Sequence, residues 1–302
     1  MKKIYLYGMI VGSNSFRLKE FVKPDEYSEI EEMFRFIGGE TGTCATVLSS
    51  LGANVTIDGN HIGRKTAPML REFYKDKTVN YDLLYFDENY EGLEDYIIIS
   101  GDTRTPMGTF GHYFNSAFSG GAKRWNTPSE KAVSECEAAA IDPFFGDESE
   151  LAARYCVKHG RKYVTIDCKY DSFIHKHSAV SVISGEGIKN TYPDKSREEL
   201  FPLFQKNGGG LTIITNGGNE LFYGRKGGEI KSFSPFKVDV KSTLGAGDTF
   251  KAGCTYAVAM GMSDDELVRF ASACSAAAIS RFPFQLNPPA VFEVREIMAS
   301  RA

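Results

Sequence analysis

Short apolar runs separated by helix-like stretches recur along this chain, and that rhythm limits its fold more than any single residue does. Ile4 to Tyr7, Val55 to Ile57, Ala138 to Ile141, Tyr163 to Ile166, Val180 to Ile183 and Leu211 to Ile214 each have the length of a buried strand. Strands alternating with helices predict an α/β fold: a mostly parallel central sheet with helices on both faces. Such sheets bind ligands beyond the carboxyl ends of their strands. Asp142, Asp167, Ser184 and Thr215 each follow one of these runs and so become site candidates. For Asp142 and Asp167, helix capping or loop bonding is an equal competitor.

Two stretches depart from the rhythm. Phe16 to Ile37 and Tyr81 to Thr105 are rich in Tyr, Phe, Ile and acidic residues with little helical period, so they read as exposed antiparallel strands. Together they predict a small β-sheet lid, approximately within residues 15–38 and 81–105 of one domain spanning 1–302. Ordinary surface loops are the competing reading, although loops longer than about 15 residues are uncommon unless functional. Helix signals are clearer. Ser263-Asp264-Asp265-Glu266 is a capping-box pattern opening the Ala- and Ser-rich segment to Ile279. Asp147 with Glu150 opens a helix reaching His159, stopped by Gly160.

Composition narrows the partners. With 42% hydrophobic and 25% charged residues, the 302-residue chain matches ordinary globular proteins. A net charge of -4 with no long basic stretch argues against nucleic acid and favours a small-molecule partner. No window approaches the roughly 18 apolar residues of a membrane span. The first 15 residues alternate like a strand rather than a signal peptide. Cys44, Cys136, Cys156, Cys168, Cys254 and Cys274 form no C-x-x-C pair and read as small buried residues of a reducing compartment. The cytoplasm is the expected location. His112, His175 and His177 have no ligand-like spacing.

The sharpest local feature is Ser242-Thr243-Leu244-Gly245-Ala246-Gly247-Asp248-Thr249-Phe250, followed by a small-residue helix reaching Met260. Gly245, Ala246 and Gly247 permit a tight turn into a helix, whose first amides and dipole favour an anion. A carboxylate there, Asp248, can take a hydroxyl proton as that oxygen attacks phosphorus. On spacing alone, a plain N-cap Asp after a Gly turn stands beside that reading.

The run Leu244 to Phe250 resembles the C-terminal signature of the ribokinase-like, or phosphofructokinase-B-type, carbohydrate kinases, and is especially similar to its form in ketohexokinases. Gly38-Gly39, the helix-like Cys44 to Leu51, and Gly52-Ala53 resemble the family's sugar-binding signature. Thr215-Asn216-Gly217-Gly218 resembles its nucleotide turn. The likeness spans nearly the whole chain. It implies ATP with Mg²⁺ as cosubstrate, Asp248 as general base, and Gly245, Ala246 and Gly247 as an anion hole. It further implies that Thr215, Asn216, Gly217, Gly218, Ser184 and Thr243 line the nucleotide. Gly38, Gly39 and Thr43 would face the sugar, with Asp142, and with Arg104 from the lid. A lid of this kind also often forms a homodimer interface.

Departures from the pattern cluster where the substrate is expected. Ser13, with Asn14 beside it, stands where the family usually has a sugar-binding Asp, and Thr43 replaces its usual Asn. Two shorter hydroxyl side chains predict weak activity on ribose or fructose and better activity on a substituted or acidic sugar. Ser184-Gly185-Glu186-Gly187 stands in place of an Asn-x-x-Glu element, leaving Glu186 as a metal candidate through water or as a solvated residue. Ser242 replaces an Asp associated with a monovalent-cation site, and Glu220 stands where the nucleotide turn often has Gly. A nucleoside kinase of the same family and a non-catalytic sugar sensor are the alternatives. Retention of Asp248 favours an enzyme.

Overall fold

The computed structural model describes residues 1–101 and 103–300. Asp102, inside the expected lid stretch, and the last two positions of the expected 1–302 domain lie outside the described residues. The main sheet has the order Lys231–Phe233, Asn219–Arg225, Leu211–Asn216, Val180–Ile183, Lys162–Ile166, Ala138–Ile141, Lys3–Gly8, Asn54–Gly59, Val79–Asn80. All neighbours run parallel except at the Asn219–Arg225 and Lys231–Phe233 end. Each apolar run read from the sequence is a strand of this sheet.

Alternation along the first strand explains why helices cover both faces. Ile4 and Leu6 pack with Val164, Val182 and Ile213 under the helices Glu40–Ser50, Ala246–Met260 and Asp264–Ile279. Tyr5 and Tyr7 project to the other face, against Trp125, Phe145 and the helix Asp147–Lys158. The capping box forms as expected, with Ser263 accepting from the Glu266 amide and Glu266 reaching back to the Ser263 amide. The Gly-Gly helix starts at Glu40, four residues before the expected Cys44. All six cysteines are free and buried.

A second sheet forms the lid, in the order Ile30–Gly38, Val11–Leu18, Glu94–Ser100, Thr103–Gly108. The outer pairs are antiparallel, but the central pair, Val11–Leu18 with Glu94–Ser100, is parallel. This corrects the wholly antiparallel expectation. Both strands leave the body at the same end, where the Gly12 amide donates to Leu93 O at 2.9 Å, so they run outward together. Residues 81–93, also expected in the lid, instead carry the short strand Phe86–Asp87, which pairs with Ile62–Gly63.

Chain order positions the site. From Lys3–Gly8 the sheet extends one way to Asn54–Gly59, whereas Ala138–Ile141 returns on the other side. The carboxyl ends of these two adjacent strands therefore make a topological switch point, the crevice where open α/β sheets bind ligands.

Candidate active site

Two helices aim their N-termini at that crevice. At one, Met9 O, just beyond the first strand, accepts from the amides of Thr41 and Gly42 at 2.9 and 3.2 Å. That approach requires Gly39: its φ is 77°, and a Cβ there would stand 2.6 Å from Met9 O. At the other, Gly245 adopts the left-handed conformation and starts the helix Ala246–Met260. Ala246 N–H turns back to Thr243 O at 3.3 Å, and Ser242 Oγ accepts from Leu244 N–H at 3.2 Å. Among the described residues, the Gly247 and Asp248 amides donate to no backbone carbonyl, as expected for a first helical turn.

Asp248 is half-buried on this first turn. Burial pushes its pKa up to about 6; the positive charges of Lys251 and Arg104 pull it down, while Asp142 and Asp167 push it up. Glu40, half-buried in the first turn of the Gly-Gly helix, is pushed up to about 8 by burial and by the charges of Asp248 and Asp142, with Lys251 opposing. Asp248 therefore ionises first, and its charge helps keep the Glu40 proton in place. Behind them lies Asp142. Its Oδ1 accepts from Lys251 Nζ, and its Oδ2 accepts from Met9 N–H at 3.1 Å and Thr41 Oγ1 at 2.9 Å. Asp142 and Lys251 are both 0% exposed. Thus Asp142, a substrate candidate in the sequence, braces the crevice from beneath and presents no oxygen to it.

The lid separates the remaining substrate candidates. Ser13 stands opposite Asp95 and Phe36 in the ladder, and its buried hydroxyl occupies the space a Cβ on Gly38 would need. Arg104, opposite Ile99, projects from the same face and reaches within 3.6 Å of Glu186 on the body. That contact and its effect on Asp248 mark this face as the inner one. Asn14 points from the outer face: its Oδ1 accepts from Arg35 Nε at 3.0 Å, and its Nδ2 donates to Asp95 O at 3.3 Å. Thr43 is buried in the Gly-Gly helix, its amide donating to Gly39 O at 2.9 Å.

The nucleotide candidates gather at the ends of two neighbouring strands. Thr215 falls at a register irregularity in Leu211–Asn216 and donates to Ile183 O at 3.4 Å. Gly217 and Gly218 form the exposed two-residue turn to Asn219–Arg225, Gly217 with φ 58°. Asn216, half-buried, pairs with Asn219, and Thr243 is exposed. Ser184 is already engaged: its Oγ donates to Asp167 Oδ2 at 2.9 Å and accepts from Gly187 N–H at 2.8 Å, capping a short helix. Burial raises the pKa of Asp167, opposed by the Ser184 hydrogen bonds. Glu186 is 72% exposed.

Glu40, Lys251 and Asp95 are absent from the candidates read in the sequence. The Gly-Gly signature is carried by Gly38-Gly39, the Cys44 to Leu51 stretch and Gly52-Ala53, with Thr43 a departure from it, so Glu40 draws no attention, and a lone Lys in a small-residue helix carries no signal of its buried partner. A hollow of about 630 Å³ opens elsewhere, near Lys3, Asn54, Lys77 and Lys131 at the amino ends of the strands. None of its lining belongs to the signature.

Comparisons with known proteins agree with this fold. The family model for pfkB family carbohydrate kinases matches residues 1–290. Pseudouridine kinase of Escherichia coli (strain K12) is 35% identical over 77 residues, 26% of this chain; the match spans only 25% of that protein's length. Ribokinase of Arabidopsis thaliana, solved in complex with ribose and ATP, has a TM-score of 0.79 at 16% identity, covering 98% of both chains. The nucleoside kinase of Methanocaldococcus jannaschii has a TM-score of 0.77 at 17% identity, covering 100% of this chain and 99% of that one. At such identities the structural likenesses show the fold alone.

Proposed function

The chain belongs to the pfkB family of carbohydrate kinases, and from that premise we propose that it transfers the γ-phosphoryl group of ATP to a hydroxyl of a sugar or sugar derivative. One observation carries the reading: Asp248 lies on the first turn of a helix whose free amides point into the crevice, with its pKa near 6. It is ionised at neutral pH and close enough to that range to accept a proton. In the proposed reaction, Asp248 takes the proton as the hydroxyl oxygen attacks phosphorus. The Gly245–Gly247 turn holds the developing charge on the transferring group.

The nucleotide lies along Thr215 to Gly218, Ser184 and Thr243. Magnesium arrives with ATP; such a metal is usually held by phosphate oxygens, waters and one or two carboxylates. Glu186, and Asp167 beside it, would supply carboxylates at this end of the crevice, Glu186 through water. Arg104 closes from the lid and neutralises phosphoryl charge. The outer lid face exposes Met33, Tyr96 and Met107, an apolar surface suited to a second copy of the chain. Six buried free thiols fit a reducing, cytoplasmic setting.

A nucleoside acceptor is the second reading, favoured by the local likeness to pseudouridine kinase. ATP consumption measured over ketoses, aldoses, amino sugars, sugar acids and nucleosides decides between them. Asp248→Asn is expected to lower turnover on the accepted substrate by about 100-fold or more while retaining ATP binding. Unchanged turnover in that variant would remove Asp248 as the base.

A further inference from the structure

Ser13 stands where the family resemblance calls for a carboxylate, yet the inner face of the lid has one. Asp95, on the adjacent parallel strand, faces Ser13 directly, so both side chains project toward the crevice. Burial pushes the Asp95 pKa up to about 6, with the Ser13 hydroxyl offsetting part of the rise. Its Oδ1 is buried and, among the described residues, accepts no hydrogen bond. Two further buried atoms share that condition. Ser15 Oγ lies one step along the same face and is 0% exposed. Gln285 Oε1 is 1% exposed and belongs to the segment Phe284–Leu286, which packs against the lid strand Ile30–Gly38 and lies beside Gly245.

Native proteins rarely leave buried polar atoms unpaired, so these three mark places for a ligand's own groups. Their chemistry is one-sided. Asp95 Oδ1 and Gln285 Oε1 only accept, and Ser15 adapts to either role, so the matching surface must donate. A carboxylate at position 13 would stand opposite Asp95, and like charges directly across a ladder destabilise it. Ser at 13 and Asp at 95 therefore belong together.

We propose that Asp95 is the substrate-orienting carboxylate of this kinase, displaced by one strand from the position Ser13 occupies, and that the sugar presents hydroxyl or ammonium donors, not an acid group, to the lid. This revises the expectation of an acidic sugar, and it rests on the sugar-kinase reading above.

The test measures kcat and KM for fructose, glucosamine, glucuronate and uridine in the native enzyme, Asp95→Asn, Ser13→Asp and Ser13→Asp/Asp95→Asn. Asp95→Asn is expected to raise KM for the preferred probe about tenfold with kcat changed less than about threefold, the mark of lost binding rather than lost chemistry. The double variant, with its carboxylate returned to position 13, recovers part of that loss, whereas Ser13→Asp alone does not improve on native. The native enzyme should prefer fructose or glucosamine over glucuronate by about tenfold or more. Unchanged KM in Asp95→Asn, or a native preference for glucuronate, overturns the proposal. If none of the four is phosphorylated, the kinase reading is judged separately, on the wider acceptor panel. Thermal-shift binding of the same probes then decides the role of Asp95: a native shift lost in Asp95→Asn supports it, and equal shifts or none overturn it.

Discussion

Asp142 and Lys251 form an ion pair in which neither side chain is exposed. The pair joins the end of the strand Ala138–Ile141 to the second turn of the signature helix, with Met9 and Thr41 completing the contacts of the carboxylate. Burial opposes the Lys251 charge, but Asp142, with Cys44 and Asp248 adding to it, outweighs burial and holds the lysine protonated. The pair fixes the helix that carries Asp248 against the floor of the crevice.

Breaking it should be costly. Lys251→Met leaves a buried carboxylate without its counter-ion, and losses of about 3–5 kcal/mol are typical of such changes. Because Lys251 also lowers the Asp248 pKa, the acid limb of kcat should move to higher pH. Urea unfolding and a pH–rate profile measure the two effects. Asp142→Asn/Lys251→Met should regain much of the stability; equal stability of the native and single-variant proteins would refute the bracing role.

Glu40 and Asp248 give a signed pH prediction. Both carboxyls are raised in the folded protein, so the stability they contribute is full at low pH and is lost as pH climbs, through about 6 for Asp248 and about 8 for Glu40. Glu40→Gln removes the second loss. Between pH 6 and 9 its melting temperature should fall less than that of the native protein. Since Glu40 is still protonated while Asp248 titrates, the acid limb of kcat should stay near pH 6. Parallel melting curves in both proteins would show that the Glu40 carboxyl does not titrate in this range.

The main sheet is legible in the sequence because buried parallel strands read as short apolar runs. Gly245 to Asp248 is legible because two glycines running straight into a small-residue helix mark a tight turn and a helix start together. The lid is legible only as an irregularity. Its parallel centre depends on where two distant segments leave the body, which no local pattern encodes. Register accounts for the remaining gaps: Asn14 and Ser13 are neighbours in sequence but point to opposite faces, and Asp95 gains its meaning only when placed opposite Ser13. Lys251 in isolation would read as a solvated helix residue. Its burial follows from the partner more than a hundred positions away.

The outer lid face yields a prediction about assembly. Phe16 stacks on Tyr96, with ring centroids 6.4 Å apart, and Met33 and Met107 extend the apolar surface. If a second copy covers it, Tyr96→Glu/Met107→Glu should shift sedimentation from dimer to monomer, because burying the new charges would be unfavourable. A native protein that is monomeric at every concentration would end that reading.

Arg104 separates closure from stability. Its contact with Glu186, at 3.6 Å, joins the lid to the body; with Glu186 72% exposed the pair is screened by solvent, and such pairs are worth only about 0–1 kcal/mol. Arg104→Ala should therefore leave the unfolding midpoint nearly unchanged. Its charge also lowers the Asp248 pKa and faces the transferring phosphoryl group in the proposed pose, so its loss should reduce kcat by at least about tenfold and move the acid limb upward. Glu186→Gln breaks the same contact but keeps the guanidinium, and should retain most of kcat. Steady-state kinetics on the accepted substrate distinguishes the two roles. Equal losses in both variants would mean that the lid contact matters and the positive charge does not; no loss in Arg104→Ala would take the residue out of the reaction altogether.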